Sequence, residues 1–327
     1  MLETVLVTGS TGLIGAALVR RLAASGVRVL AAARDEAKAR RLFAGLAGVS
    51  VVEWNVLRPA PESLGAVDGI VHAASETSSK AFVERPVETI ETILTGTRHV
   101  LELARLSGVS SVACLSTMEV YGSPTVDPVG ESDYGYLDPV AVRSSYPEAK
   151  RLAESLCAAY RAEYGVPVKI ARLTQTFGEG VRYDDGRVFA EFARAIIERR
   201  DIVLKTAGST ARCYCYLGDA VEAIRVILER GADGEAYTVA NESTFCTIRE
   251  MAERLAAAHP EAGSKVVVDT TGAESRGFAP PFRMRLNCAK LRSLGWEPKV
   301  GLIEAFDRMM AAMRPQRTGG NLAKGEP

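Results

Sequence analysis

A hydroxyl, a carboxylate, a phenol and an ammonium group stand in two short stretches of this 327-residue chain: Leu115-Ser116-Thr117-Met118-Glu119-Val120-Tyr121-Gly122 and Tyr146-Pro147-Glu148-Ala149-Lys150. Together these groups are the parts that can take a proton from an alcohol while its carbon gives up hydride, with the Tyr146 phenol as the natural base and the Lys150 ammonium to assist it. Tyr-x-x-x-Lys alone shows only two side chains on one helix face. Thr117 also follows an apolar run, at the kind of strand end that carries chemistry in open α/β sheets.

A dinucleotide site must then precede these residues, and the opening of the chain supplies one. Thr4-Val5-Leu6-Val7-Thr8 reads as a buried strand. Gly9, Gly12 and Gly15 follow, with Thr11, Leu13 and Ile14 between them, and a helical pattern runs from Ala16 to Ser25. A glycine-rich strand-to-helix turn lets backbone approach a pyrophosphate, which rests on the helix N-terminus. Val27 to Ala32 is the second strand. Where NAD-binding folds place a carboxylate for the ribose 2′-OH, this chain has Ala33 and then Arg34. Ala accepts no hydrogen bond, whereas Arg can hold a 2′-phosphate through forked, charge-assisted bonds. NADP is therefore favoured over NAD, and Asp35 keeps NAD possible. Lys38, Arg40 and Arg41 lie nearby and can equally be an exposed helix face.

Further strands are expected over Val49–Trp54, Asp68–Ala74, Val109–Leu115, Val166–Leu173 and Ala236–Ala240, with helices over Val87–Ser107, Val188–Arg199 and Asp219–Arg230. Asn55 and Val56 fall where an adenine edge would lie, and Ala73 and Ala74 let backbone pass close to the ligand. His72 is expected to be a packed strand histidine. Thr206–Arg212 reads as a polar turn. Thr247–Ala258 and Leu302–Met313 read as helices, and Arg314–Pro327 as a frayed tail. This alternation predicts an α/β fold: a Rossmann doubly wound parallel sheet (1–173 plus about 216–240) with a smaller α/β substrate-binding domain (174–215 and 241–313).

Lys+Arg and Asp+Glu balance at 40 each, which gives no electrostatic footprint for nucleic acid or an acidic membrane. No apolar run reaches membrane-spanning length, and the chain enters its first strand without a signal-peptide pattern. Six cysteines lie mostly in apolar segments, and Cys213-Tyr214-Cys215 is too tight for a zinc pair. No metal is expected, and a cytoplasmic location with reduced thiols is.

The order of these pieces resembles the extended short-chain dehydrogenase/reductases, in the NAD-dependent epimerase/dehydratase family that modifies nucleotide sugars. The marks are Thr8-Gly9-Ser10-Thr11-Gly12-Leu13-Ile14-Gly15, His72-Ala73-Ala74, Ser116 to Gly122, Tyr146 to Glu154, Arg172 to Gly178, Arg212 with Tyr216 and Asp219, and Leu294-Gly295-Trp296-Glu297-Pro298. The resemblance covers nearly the whole chain. It implies that Lys150 also reaches the nicotinamide ribose. It places Thr77, Thr117, Met118, Gln175, Arg182, Val188, Arg212 and Arg276 around the nucleotide sugar, with Arg212 and Arg276 toward its diphosphate or ribose. It also implies a homodimer paired through the Tyr-bearing helix and the one before it, which hold Ile90, Ile93, Leu94, Val100 and Leu101, and Leu152, Leu156 and Tyr160.

A free phenol has a pKa of about 10. An ammonium about 4 Å away is worth roughly 4 kcal/mol, or about three pKa units, which brings Tyr146 toward neutral pH. Relatives that dehydrate or decarboxylate the sugar carry a Glu at the position of Glu119, preceded by Asp or Ser. Met118 stands there instead and cannot give a proton to a departing hydroxyl. Gln175 replaces the usual Asn against the diphosphate, and Ile93 replaces another. The leading expectation is a nucleotide-sugar epimerase/dehydratase that recycles its cofactor. The alternatives are an NADPH-dependent nucleotide-sugar 4-ketoreductase, which Arg34 favours, and a non-catalytic dinucleotide-binding regulatory protein.

Overall fold

The structure is a computed structural model that describes residues 2–271 and 281–319. Arg276 lies outside them. Seven strands form the main sheet: β1 (Thr4–Thr8), β2 (Arg28–Ala33), β3 (Val49–Glu53), β4 (Gly69–His72), β5 (Ser111–Thr117), β6 (Val168–Leu173) and, much later, β10 (Ala236–Val239). Their order is β10-β6-β5-β4-β1-β2-β3, and every neighbouring pair is parallel. The short apolar runs predict this well, because a parallel sheet covered on both faces needs strands that are apolar throughout; β1, β4 and β6 are buried at every position.

Helices cover the two faces. On one, α1 (Leu13–Ala24) packs beside α7 (Leu217–Arg230); on the other, α4 (Pro86–Ser107) lies against α5 (Ser145–Tyr164). The short α2 (Glu36–Leu42) and α3 (Ser79–Glu84) come from the β2 and β4 connections. After β3 the chain crosses to the far side of β1 to start β4, so the strand order reverses between β1 and β4. A crevice opens at the carboxyl ends of the strands at such a switch point, and the loops after β1, β4 and β5 all face that end.

The second half builds a smaller unit. β7 (Gln175–Phe177) and β9 (Ala211–Tyr216) pair with each other, and β11 (Asn241–Thr247) and β13 (Arg283–Met284) flank β9. A separate pair joins β8 (Ile202–Leu204) to β12 (Val266–Val268). Around them pack α6 (Val188–Ile197), α8 (Ile248–Ala258) and α10 (Leu302–Gly319), with Phe177, Phe189, Met251 and Phe306 in their shared core.

Two local expectations need correction. Thr206–Arg212 is not all turn, since Ala211 and Arg212 already belong to β9; a strand of only six residues carrying one Arg shows too little alternation to be read from pattern. The helix from Leu302 continues to Gly319, past the point where apolar periodicity ends. Residues after β13, with the short α9 (Ala289–Arg292), return to the main core through Leu286, Leu291 and Trp296. Trp296 is buried, its indole N–H donating to the Asp219 carbonyl, and the Asp219 carboxylate accepts from the N–H groups of Lys299 and Val300. The Leu294–Pro298 mark therefore clamps the start of α7.

Candidate active site

The turn after β1 is built so that only glycine fits. Gly9 has φ +66, and a Cβ there would lie 2.6 Å from the Ala74 nitrogen; a Cβ on Gly15 would lie 2.2 Å from the Gly9 carbonyl oxygen. Ser10 ties the turn to β2 through a 2.9 Å bond from its hydroxyl to the Ala32 carbonyl. Thr8 ties it to β4: its hydroxyl bonds His72 Nδ1 at 2.8 Å and accepts from the Ala74 N–H. Gly12 caps α1 with no side chain bonded to the free N–H groups of the first turn. Thr11, Leu13 and Ile14 are half-buried around it, so bare backbone and a helix N-terminus face the crevice. That surface fits a dinucleotide pyrophosphate. His72 is buried, and burial followed by the Lys150 charge lowers its pKa to about 3, so it stays neutral and structural.

At the end of β2, Ala33 is buried and Arg34 exposed, with no hydrogen bond or ion pair to another described residue. Asp35 accepts from the Lys38 N–H as the N-cap of α2, and Arg40 pairs with Glu36. The carboxylate that could have served a 2′-OH is thus engaged in a cap, while Arg34 is uncommitted. Beyond β3, Asn55 is exposed and accepts from the Leu57 N–H; Val56 is buried against Gly96.

Thr117 ends β5 and caps the single-turn helix Met118–Tyr121, accepting from the Glu119 N–H. Its hydroxyl is close enough to the Tyr146 phenol to favour the ionised form. Tyr146 sits in the first turn of α5 at 7 % exposure, its ring stacked on Phe82 with centroids 4.1 Å apart and planes 8° from parallel. Arg143 completes the group. It donates to Glu119 at 3.0 Å and lies over the Phe82 ring at 4.9 Å. Thr117, Glu119 and Tyr146 are therefore brought together as the sequence predicts, and Phe82 and Arg143 are additions. Arg143 stands three residues before Tyr146, a spacing that could have flagged it; nothing in the sequence brings Phe82 there.

Lys150 differs from expectation. Its Nζ donates to the Leu115 carbonyl at 2.8 Å, and burial lowers its pKa to about 8 against the opposing pull of Cys114, Glu154 and Cys157. The Tyr146 phenol is not brought down. Burial pushes it above its ordinary value and the Glu119 charge adds to that, with the Thr117 hydrogen bond and Arg143 opposing. The groups that set this balance are burial, Glu119, Thr117 and Arg143, while the Lys150 ammonium is engaged by the Leu115 carbonyl.

The substrate-side expectations divide. Gln175 is half-buried in β7. Arg212 lies over the Phe282 ring at 4.9 Å, and its buried Nε has no hydrogen-bond partner among the described residues, so this donor is available to a ligand. Val188 is the first residue of α6, half-buried. Thr77 is exposed on the β4–α3 loop, and Arg182 is exposed and paired with Asp184 at 2.6 Å. Met118 is turned into the main core, its sulfur accepting from the Thr174 hydroxyl, which makes it a packing residue.

No helix among the described residues is long and apolar enough to cross a membrane, and no cluster of potential metal ligands occurs among them. The profile of the NAD dependent epimerase/dehydratase family matches residues 5–240. Over 314 residues the chain is 32% identical to UDP-glucuronic acid decarboxylase 6 of Arabidopsis thaliana, covering 93% of this chain and 87% of that one. It is 29% identical to UDP-glucuronic acid decarboxylase 1 of Danio rerio, covering 94% and 71%. Among solved structures, DesIV, a dTDP-glucose 4,6-dehydratase from Streptomyces venezuelae with NAD and TYD bound, is similar at a TM-score of 0.80 and 25% identity, covering 97% of this chain and 98% of that one. Epimerase Mth375 from Methanothermobacter thermautotrophicus shares the fold at a TM-score of 0.83 and 22% identity, with 98% and 95% covered.

Proposed function

Because the chain belongs to the NAD dependent epimerase/dehydratase family, we propose that it transforms a nucleotide sugar by transient oxidation of a ring hydroxyl, with Tyr146 as the base. The observation that carries this reading is the gathering of the Thr117 hydroxyl and the Glu119–Arg143 ion pair around the buried Tyr146 phenol, at the end of β5. The bound dinucleotide supplies hydride acceptance and its return. The chain's own residues do the rest. Thr117 holds the reacting oxygen, Tyr146 takes its proton, and Glu119 is placed for a proton next to a carbonyl formed on the sugar. Lys150 would hold the nicotinamide ribose, and Arg212 would hold the diphosphate with its free Nε.

A UDP-hexuronic acid is the substrate to try first. The curated relatives are UDP-glucuronic acid decarboxylases, and oxidation at C4 of such a sugar gives a β-keto acid, which loses carbon dioxide without a departing hydroxyl. That route needs no acid at position 118, and Met118 offers none. Uncommitted Arg34 supports NADP as the preferred dinucleotide and, with it, a second reading: an NADPH-consuming 4-ketoreductase.

The homodimer expectation rests on α4 and α5. Ile93, Val100 and Leu101 are core, but Val87 (66 %), Ile90 (38 %) and Leu152 (55 %) are exposed along the paired helices, as an interface would require.

The test follows nicotinamide absorbance and product mass together across a panel of nucleotide sugars with NAD(H) and NADP(H). Product without net change in cofactor supports recycling: unchanged mass means epimerase, and lost carbon dioxide or water means decarboxylase or dehydratase. Stoichiometric consumption favours the ketoreductase. Cofactor binding without turnover on any sugar rejects both.

A further inference from the structure

Behind the reacting groups lies a buried ion pair that the chemistry above does not use. Glu154 and Arg172 are 9 % and 2 % exposed. Arg172 Nε donates to Glu154 Oε1 at 3.0 Å and its Nη2 to Oε2 at 2.7 Å. Its Nη1 donates to the Glu131 carbonyl at 2.6 Å, Nη2 also meets the Tyr134 hydroxyl, and the guanidinium lies over the rings of Tyr121 and Tyr134. The remaining capacity of Glu154 goes to the Ser116 hydroxyl at 2.5 Å. Every member is satisfied, so the network is rigid. A buried pair of this kind seldom adds net stability over an apolar replacement of the same volume, and a retained one calls for another reason.

Its connections give that reason. Ser116 is the residue before Thr117. Glu154 lies four residues after Lys150 on α5, on the same helix face. Arg172 is on β6, and the loop it holds runs from Tyr121 toward Arg143. We infer that the Glu154–Arg172 pair is a positioning element of the reaction: through Ser116 it fixes the end of β5 that presents Thr117, and across one helical turn it supplies the negative charge that faces Lys150.

The electrostatics agree. The groups facing Lys150 are His72 from β4, Cys114 from β5, and Glu154 and Cys157 from α5. His72 is held neutral by burial, and Glu154 is the carboxylate among them. It works against the burial that lowers the Lys150 pKa. Removing its charge lets Lys150 lose its proton at lower pH. An alkaline limb of turnover set by Lys150 then moves down, by about one pH unit.

This inference rests on the transient-oxidation reading, and variants of the full chain test it. Glu154→Gln removes the charge but leaves Arg172 unpaired, so Glu154→Gln/Arg172→Met serves as the version that keeps the core neutral. Ser116→Ala removes only the link to β5. The expected results for the double variant are a melting temperature close to the parent, dinucleotide affinity within about twofold, kcat lowered about tenfold or more at pH 8, and an alkaline limb displaced downward. For Ser116→Ala, kcat falls with KM and the alkaline limb unchanged, and Ser116→Thr restores it. Folded variants with parental kcat and an unmoved limb overturn the inference. Should the double variant not fold, normal kcat in Ser116→Ala overturns it alone. A parent enzyme inactive on every nucleotide sugar defeats the underlying reading instead.

Discussion

Glu119 and Arg143 face each other at 3.0 Å, with Arg143 held over Phe82 and Phe82 stacked on Tyr146, so one ion pair sets the charge beside the base. The signs are opposed: Glu119 raises the phenol and Arg143 lowers it, burial being the largest cause of the upward shift. Arg143→Met should move the acid limb of the pH–rate profile upward, and Glu119→Gln should move it downward, each by about one unit. Measured kcat/KM profiles of the two variants check this, and shifts in the same direction would remove Tyr146 as the titrating base.

Tyr146→Phe should lower kcat at least about a hundredfold, the scale of lost general-base catalysis. Its dinucleotide affinity should stay nearly intact, because the cofactor surface is the glycine turn. Steady-state kinetics and a fluorescence titration separate the two effects; normal turnover sinks the assignment.

Arg34 should decide between the dinucleotides. Arg34→Ala is expected to weaken NADP binding about tenfold or more and leave NAD within about twofold, since the forked contact serves only the 2′-phosphate. Equal loss for both cofactors would show that Arg34 does not read that group.

His72 should make the fold acid-sensitive. Its folded pKa of about 3 lies below the ordinary 6.5, so the unfolded chain takes up the proton first as pH falls. The contribution is present in full above pH 6.5 and is lost toward pH 3, at about 1.4 kcal/mol per pH unit where the unfolded histidine is charged and the folded one is not. Urea unfolding across that window should show a shallower slope for His72→Gln than for the parent. Parallel curves would reject the prediction.

The exposed stripe on α4 and α5 predicts a dimer in solution, and Ile90→Glu/Leu152→Glu should convert it to a monomer. Light scattering at micromolar concentration reads this directly; a monomeric parent would reject the interface.

Local pattern in the sequence determines the strands of the main sheet, the glycine turn, the long helices and the pair Tyr146 and Lys150. Apolar runs, glycine spacing and four-residue periodicity are consequences of the chain's own geometry, so they show without knowledge of the partner. The apolar run before it marked Thr117, and recognition of the family added roles for Glu119 and Arg212. What the sequence left open depends on residues far apart in the chain. The stacking of Phe82 on Tyr146 is one case, the Glu119–Arg143 pair another, and Asp35 is taken by its own helix cap. Met118 turns inward to Thr174, and the Lys150 ammonium rests on the Leu115 carbonyl. The pKa of a buried group is set by where burial places it relative to such neighbours. Only the packed tertiary structure fixes those distances, so it alone shows that the phenol is raised where spacing predicts it lowered.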